Sequence, residues 1–209
     1  KRIFTSVLLL FSLLLMYIND TFLAFALFIV SFISFVEFNS LIDKIQKIKI
    51  NKIIFRILSF LYLSIFFIVV FFSVFNQNPS KIIIIFLLSI CVATDIGGLF
   101  FGKIFKGKKL TKISPNKTIS GSLGSFFFSF LIFLVFTYYF NFSLNLKYLI
   151  LTFIVSLISQ IGDLFISFIK RKARIKDTGK ILPGHGGVLD RLDGIIFAVP
   201  FSYLLQRFI

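Results

Sequence analysis

Apolar residues run almost unbroken over seven stretches: Ile3 to Ile18, Thr21 to Phe38, Ile53 to Phe75, Ile82 to Phe101, Leu123 to Phe142, Tyr148 to Ile169, and Leu192 to Ile209. Several approach the ~20 residues that an α-helix needs to cross a hydrocarbon core. One globular core could not bury so much apolar surface, so the pattern predicts an all-α, polytopic integral membrane protein with about seven transmembrane helices. Lys1 and Arg2 precede the first run and no small-residue cleavage site follows it, so this run is expected to remain as an anchor. The first two runs are short and joined by Asn19 and Asp20, as in a tight helical hairpin or a shallow pair.

The polar positions interrupt these runs in an ordered way. In the sixth, Ser156, Gln160, Asp163, Ser167 and Lys170 are spaced to lie on one helix face. A carboxylate on such a face within an apolar segment is costly, so Asp163 is expected to meet a cation or a wet cavity rather than lipid. Between the runs, basic residues alternate by loop. Lys44, Lys47, Lys49 and Lys52 fill the second connection, Lys103, Lys106, Lys108, Lys109, Lys112 and Lys117 the fourth, and Lys170 to Arg191 the sixth. The intervening connections hold only Lys81 and Lys147. Because basic loops are retained in the cytoplasm, the N-terminus is expected inside and the C-terminus outside.

Composition changes this picture little. The 209 residues are 58% hydrophobic, with 33 Phe and no Trp. A net charge of +15 would point to nucleic acid in a soluble protein, but here the positives sit in loops between apolar runs, and no nucleic-acid partner is expected. The single Cys91 excludes an intrachain disulfide and reads as a small packing residue. Residues 1–80 are expected to form N-terminal transmembrane helices, and residues 81–209 a C-terminal catalytic transmembrane domain with cytoplasmic basic loops.

Candidate chemistry gathers in the second half. Asp95 lies about six residues before the end of the fourth run, ~9 Å at 1.5 Å per residue, and Asp163 lies ~10 Å before Lys170 by the same arithmetic. Gly97, Gly98 and Gly102 strip side chains from the helix beside Asp95, for close helix packing or for a phosphate-bearing ligand. Ser114, Lys117 and Thr118 place hydroxyls and a cation ahead of the fifth run, where helix-start N–H groups favour an anion; a basic loop resting on anionic lipid is the alternative. The sixth connection carries Lys170, Arg171, Lys176, Asp177 and Gly179, then Pro183, His185, Gly186 and Gly187, and finally Asp190, Arg191 and Asp193. Glycines and proline forbid a continuous helix there, and Asp190 suits an N-cap of the last one.

This last segment resembles the signature of phosphatidate cytidylyltransferases, the CDP-diacylglycerol synthases, of the form S-x-x-K-R-x-x-x-x-K-D-x-G followed by P-x-H-G-G-x-x-D-R-x-D. It matches at Ser167, Lys170, Arg171, Lys176, Asp177, Gly179, Pro183, His185, Gly186, Gly187, Asp190, Arg191 and Asp193. The SQIGDL stretch with Asp163 and the SPNKT stretch also look like family motifs. Near the fifth run the family pattern is S-P-K-K-T-x-E-G, whereas Asn116 stands here for the first lysine and Ser120 for the glutamate.

The resemblance implies transfer of the cytidylyl group of CTP to phosphatidic acid, giving CDP-diacylglycerol and pyrophosphate, at the cytoplasmic face of a bacterial inner membrane. It implies Mg²⁺ on Asp163 and Asp190, with a second cation in view. Lys170, Arg171, Lys176, Arg191, Asp177 and His185 would form the catalytic set, and Ser114, Lys117, Thr118, Asp95, Gly186, Gly187 and Asp193 the substrate contacts. Partners are CTP, phosphatidic acid and the bilayer; apolar faces left over serve a homodimer or lipid alike. The competing readings are a CTP-dependent lipid or polyprenol kinase and a transporter with Asp95 and Asp163 as ion sites.

Overall fold

The computed structural model describes residues 20–75, 80–139, 145–179, 181 and 186–206. The expected first run, Ile3 to Ile18, and His185 lie outside these residues. Among the described residues the chain forms seven helices: α1 (Asp20–Ile45), α2 (Lys49–Phe75), α3 (Ser80–Phe105), α4 (Ile119–Tyr139), α5 (Leu146–Lys172), α6 (Leu189–Leu192) and α7 (Ile195–Leu205). Helices α1 to α5 are long and apolar enough to span a bilayer, which makes this a multi-pass membrane protein.

Two expectations shift. The last run yields the 11-residue α7, about 16 Å long, too short to cross as a straight helix. In the second connection, Lys49 and Lys52 belong to a helix rather than a loop. Residues 46–48 suffice as the turn, and across it Asp43 near the end of α1 accepts two hydrogen bonds from Arg56, at 2.7 and 2.8 Å, and lies 3.5 Å from Lys52.

The chain divides into two compact units. One holds α1, α2, and Ile169–Leu192, which includes the last turn of α5 and α6; the other holds α3, α4, the remainder of α5, and α7. In the first unit, Leu41, Ile42, Leu63, Phe66 and Val70 are buried between α1 and α2, and Phe28 meets Phe67 edge-on as Phe35 meets Phe60. Helix α5 ends in this unit by a Schellman turn: the Ile175 N–H donates to the Lys170 carbonyl and the Arg174 N–H to that of Arg171, both at 3.0 Å. Arg174 takes the left-handed position, φ 56°, where glycine is usual.

In the second unit, Phe86, Leu87, Ile90 and Cys91 of α3, Phe133 of α4, Leu151 and Val155 of α5 and Val199 of α7 are buried, so Cys91 is the packing residue the sequence predicts. The backbones of α3 and α4 touch. A Cβ on Gly97 would meet the Gly124 carbonyl carbon at 2.9 Å, and one on Gly121 the Gly98 oxygen at 2.7 Å, so glycine is required for this approach. Polar side chains then join three helices: the Thr94 hydroxyl (α3) lies 3.0 Å from those of both Ser129 (α4) and Ser156 (α5), and the Ser125 hydroxyl donates to the Thr94 carbonyl at 2.7 Å.

Candidate active site

The second unit realises the polar stripe of α5. Ser156 meets Thr94, the Gln160 carboxamide oxygen accepts from the Ser122 hydroxyl at 2.5 Å, and Asp163 forms an ion pair with Lys117. Asp95 lies within reach of the charges of both Asp163 and Lys117, so two of the expected carboxylates and one expected cation do assemble. Lys117 is held by its loop. After α3, Lys106 (φ 49°) and Gly107 (φ 106°) reverse the chain, and Lys109 and Thr118 pair across an isolated antiparallel bridge.

The Leu110 N–H donates to the Lys117 carbonyl at 2.8 Å, and the Lys117 N–H to that of Ser114 at 3.0 Å, closing the turn. Thr118 caps α4, its hydroxyl accepting from the Gly121 N–H at 3.1 Å. Ser120, in the place of the family's glutamate, donates to the Lys106 carbonyl and thereby ties the start of α4 to the reversal.

In the first unit the signature segment folds around Asp190. Its Oδ1 accepts from the Lys170 ammonium at 2.7 Å; its Oδ2 accepts from the N–H of Thr178 at 2.8 Å and of Gly187 at 3.0 Å, with the Thr178 hydroxyl 3.1 Å away. Burial pushes this carboxyl up, but the hydrogen bond from Lys170, the two backbone N–H groups and the lysine charge outweigh it and hold Asp190 below the usual carboxylate range. Asp190 is therefore inside α6, turned back onto Gly187, rather than an N-cap ahead of the last helix. Gly186, at φ +86°, faces Asp190: a Cβ there would stand 3.0 Å from Oδ2. Arg171, Lys176, Asp177 and Arg191 are exposed around this cluster. In the other unit, Asp193 accepts at 3.0 Å from the Gly194 N–H that begins α7.

One residue escaped the sequence reading. Glu37, within the expected span Thr21 to Phe38, is 4% exposed and accepts from the Thr178 hydroxyl at 2.7 Å, the Leu189 N–H at 2.9 Å and the Val188 N–H at 3.1 Å. The signal was present: a lone carboxylate in an apolar run is expensive unless partnered.

The expected cation ligands offer oxygen of the kind a hard divalent ion takes, but among the described residues no three His, Cys, Asp or Glu side chains gather to hold one. Asp163 and Asp190 each offer carboxylate oxygen, and each already carries a lysine ammonium, a positive charge of the kind a metal would supply. On Asp190, Oδ2 is taken by two backbone N–H groups and Oδ1 by Lys170.

A multi-pass membrane protein with lysine–carboxylate pairs set in its helices and in a glycine-rich turn is thus the class the fold defines. A sequence model described as "Cytidylyltransferase family" matches residues 1–209, and the chain belongs to that family. It is similar to three proteins named phosphatidate cytidylyltransferase. That of Staphylococcus aureus (strain COL) is 38% identical over 159 residues, 74% of this chain and 61% of the relative. That of Rickettsia prowazekii (strain Madrid E) is 39% identical over 141 residues, 64% and 62% of the two chains, and that of Staphylococcus haemolyticus (strain JCSC1435) 44% over 114 residues, 54% and 44%. The chain thus spans about three-fifths of the length of the first two relatives.

Proposed function

We propose that the chain transfers the cytidylyl group of CTP to phosphatidic acid, releasing pyrophosphate and leaving CDP-diacylglycerol in the membrane. The observation that carries this reading is the signature segment: Lys170, Thr178, Gly187 and Asp190 form one hydrogen-bonded cluster in a membrane chain of this family whose relatives bear that name. In the reaction a phosphate oxygen of the lipid attacks the α-phosphorus of CTP, and the bond from that phosphorus to the α,β-bridging oxygen breaks. The lipid phosphate is already anionic, so the work lies in bringing two polyanions together and stabilising charge on the leaving group.

Exposed Arg171, Lys176 and Arg191 are suited to the phosphates of CTP, and Lys170 to the same task when released from Asp190. Lys117, with Ser114 and Thr118, is suited to a phosphate at the start of α4. Asp163 and Asp190 would each hold a divalent cation such as Mg²⁺, which supplies charge neutralisation to triphosphate and pyrophosphate. Soluble CTP and a bilayer-bound acceptor must meet at an interface, and the concentration of basic residues in the connections supports the cytoplasmic side of the cell membrane, with the N-terminus inside.

The test is purified full chain in lipid nanodiscs with phosphatidic acid, CTP and Mg²⁺, with Asp163→Asn and Asp190→Asn alongside. Pyrophosphate and CDP-lipid from wild type, and neither from the folded variants, are expected. CDP in place of pyrophosphate would instead establish a kinase, and untouched CTP by folded wild type would end both readings.

A further inference from the structure

Glu37, a buried acid of the first unit, belongs to a helix that no part of the signature occupies. Its carboxylate has three protein donors and two oxygens: Oε1 accepts from the Val188 N–H, and Oε2 from the Leu189 N–H and the Thr178 hydroxyl. An ionised carboxylate at this depth persists only when so satisfied, since an unpartnered one costs several kcal/mol. The three donors in turn have that carboxylate as their acceptor. Glu37 thereby ties together two separate pieces of the signature, the strand of chain at Thr178 and the turn at 188–189.

Those two pieces are also the ones that orient Asp190. The Thr178 N–H and the Gly187 N–H both donate to Asp190 Oδ2, so any movement of either piece turns the carboxylate that Lys170 contacts. Thr178 stands between the acids with one hydroxyl proton to give. Its oxygen is 2.7 Å from Glu37 and 3.1 Å from Asp190, so the proton goes to Glu37 and Asp190 is left to the backbone N–H groups and to lysine.

The glycines of the signature carry the same message. A Cβ on Gly187 would stand 2.5 Å from Glu37 Oε2, and one on Gly179 would meet the Glu37 carboxyl carbon at 3.0 Å. These two positions are therefore open so that a helix carboxylate can enter the turn, whereas Gly186 is open toward Asp190.

We propose that Glu37 is a positioning residue: by holding the Thr178 hydroxyl and the Val188 and Leu189 amides, it sets the orientation of Asp190 and Lys170 for the chemistry of the signature segment. The catalytic part of this rests on the cytidylyl-transfer reading; the mechanical part stands without it.

The experiment is Glu37→Gln in nanodiscs, read by hydrogen exchange and by kinetics per folded molecule. The amide keeps the shape of the side chain but turns an NH₂ toward groups that are themselves donors. Exchange in a peptide covering 186–190 should rise about tenfold or more while peptides from α3 and α4 stay protected. The kcat for CDP-lipid should fall about 10- to 100-fold, as for a misplaced catalytic group. A merely structural role would lower the folded fraction and leave kcat per folded molecule unchanged. Glu37→Asp, which keeps the charge but withdraws it by one methylene, should recover part of both losses.

If Glu37→Gln does not fold, Thr178→Val removes only the bridging hydroxyl and should loosen the same peptide. Wild-type exchange at 186–190, or wild-type kcat, in whichever variant folds overturns the proposal. Wild-type protein that makes no CDP-lipid overturns the reaction and with it the catalytic role; exchange alone then decides whether Glu37 holds the turn.

Discussion

Lys170 donates to Asp190 at 2.7 Å with both side chains almost fully enclosed, 11% and 8% exposed. The two partners are not equivalent. Asp190 also accepts from Thr178 and Gly187, whereas among the described residues the Lys170 ammonium meets Asp190. Asp190→Asn therefore strands a buried cation and should destabilise by about 3–5 kcal/mol, the usual cost of breaking a buried pair from one side. Lys170→Met leaves a carboxylate with its other donors and should cost less, about 1–3 kcal/mol. Denaturant unfolding in mixed micelles measures both, and equal losses would contradict this asymmetry.

Acid should open the same turn. The folded Asp190 carboxyl lies below its unfolded value of about 3.9, so the unfolded state binds more protons as pH falls. The stabilisation is complete above that value and is lost as pH drops through the lower, folded one. Exchange in the 186–190 peptide is expected to accelerate below about pH 4. In Lys170→Met, with a main cause of the depression gone, the acid-dependent rise in exchange should be smaller. A rise as large as in wild type would show that the lysine does not hold the carboxyl down.

The contact of α3 with α4 should tolerate little. A methyl on Gly97 meets the backbone of Gly124, which cannot yield without displacing the helix, and Gly97→Ala should cost about 1–3 kcal/mol. Gly102→Ala meets the Thr118 hydroxyl at 3.2 Å, a side chain that need yield only a few tenths of an ångström while keeping its cap on α4, and should cost less. Thermal unfolding of the two variants in one detergent gives the comparison.

Arg174 offers a stabilisation test outside the polar cluster. It is exposed and held at φ 56° by the cap of α5, a conformation that costs a residue with a Cβ ~1–2 kcal/mol. Glycine removes that strain but loosens the unfolded chain by ~0.4–1 kcal/mol. Arg174→Gly should thus be neutral or stabilising by up to about 1.5 kcal/mol, and the β-branched Arg174→Val destabilising by about 1–2 kcal/mol. The order of the two midpoints is the readout.

The long apolar runs and the four-three spacing of polar residues were sufficient to read a helical membrane protein and to find the face of α5 that meets Thr94, Ser122 and Lys117. The signature likewise pointed to Lys170 and Asp190, because its spacing is fixed. What the sequence did not give up depends on distant partners. Nothing local to Glu37 says that its carboxylate seeks the amides of Val188 and Leu189. Nor does anything around Lys49 say that Asp43 and Arg56 will pair across an apparent loop. The 11-residue α7 was overestimated because hydropathy registers composition, while the turn at Asp193 and Gly194 shortens the helix.

The hydrogen bonds of Glu37 span 141 to 152 positions of sequence. During synthesis, α1 emerges and meets the bilayer long before Thr178 or Leu189 has been made. Until those residues follow, the Glu37 carboxyl has none of the three donors that satisfy it in the fold. The first unit therefore closes only once Thr178 and Leu189 have joined α1, a long-range closure of the kind that slows folding.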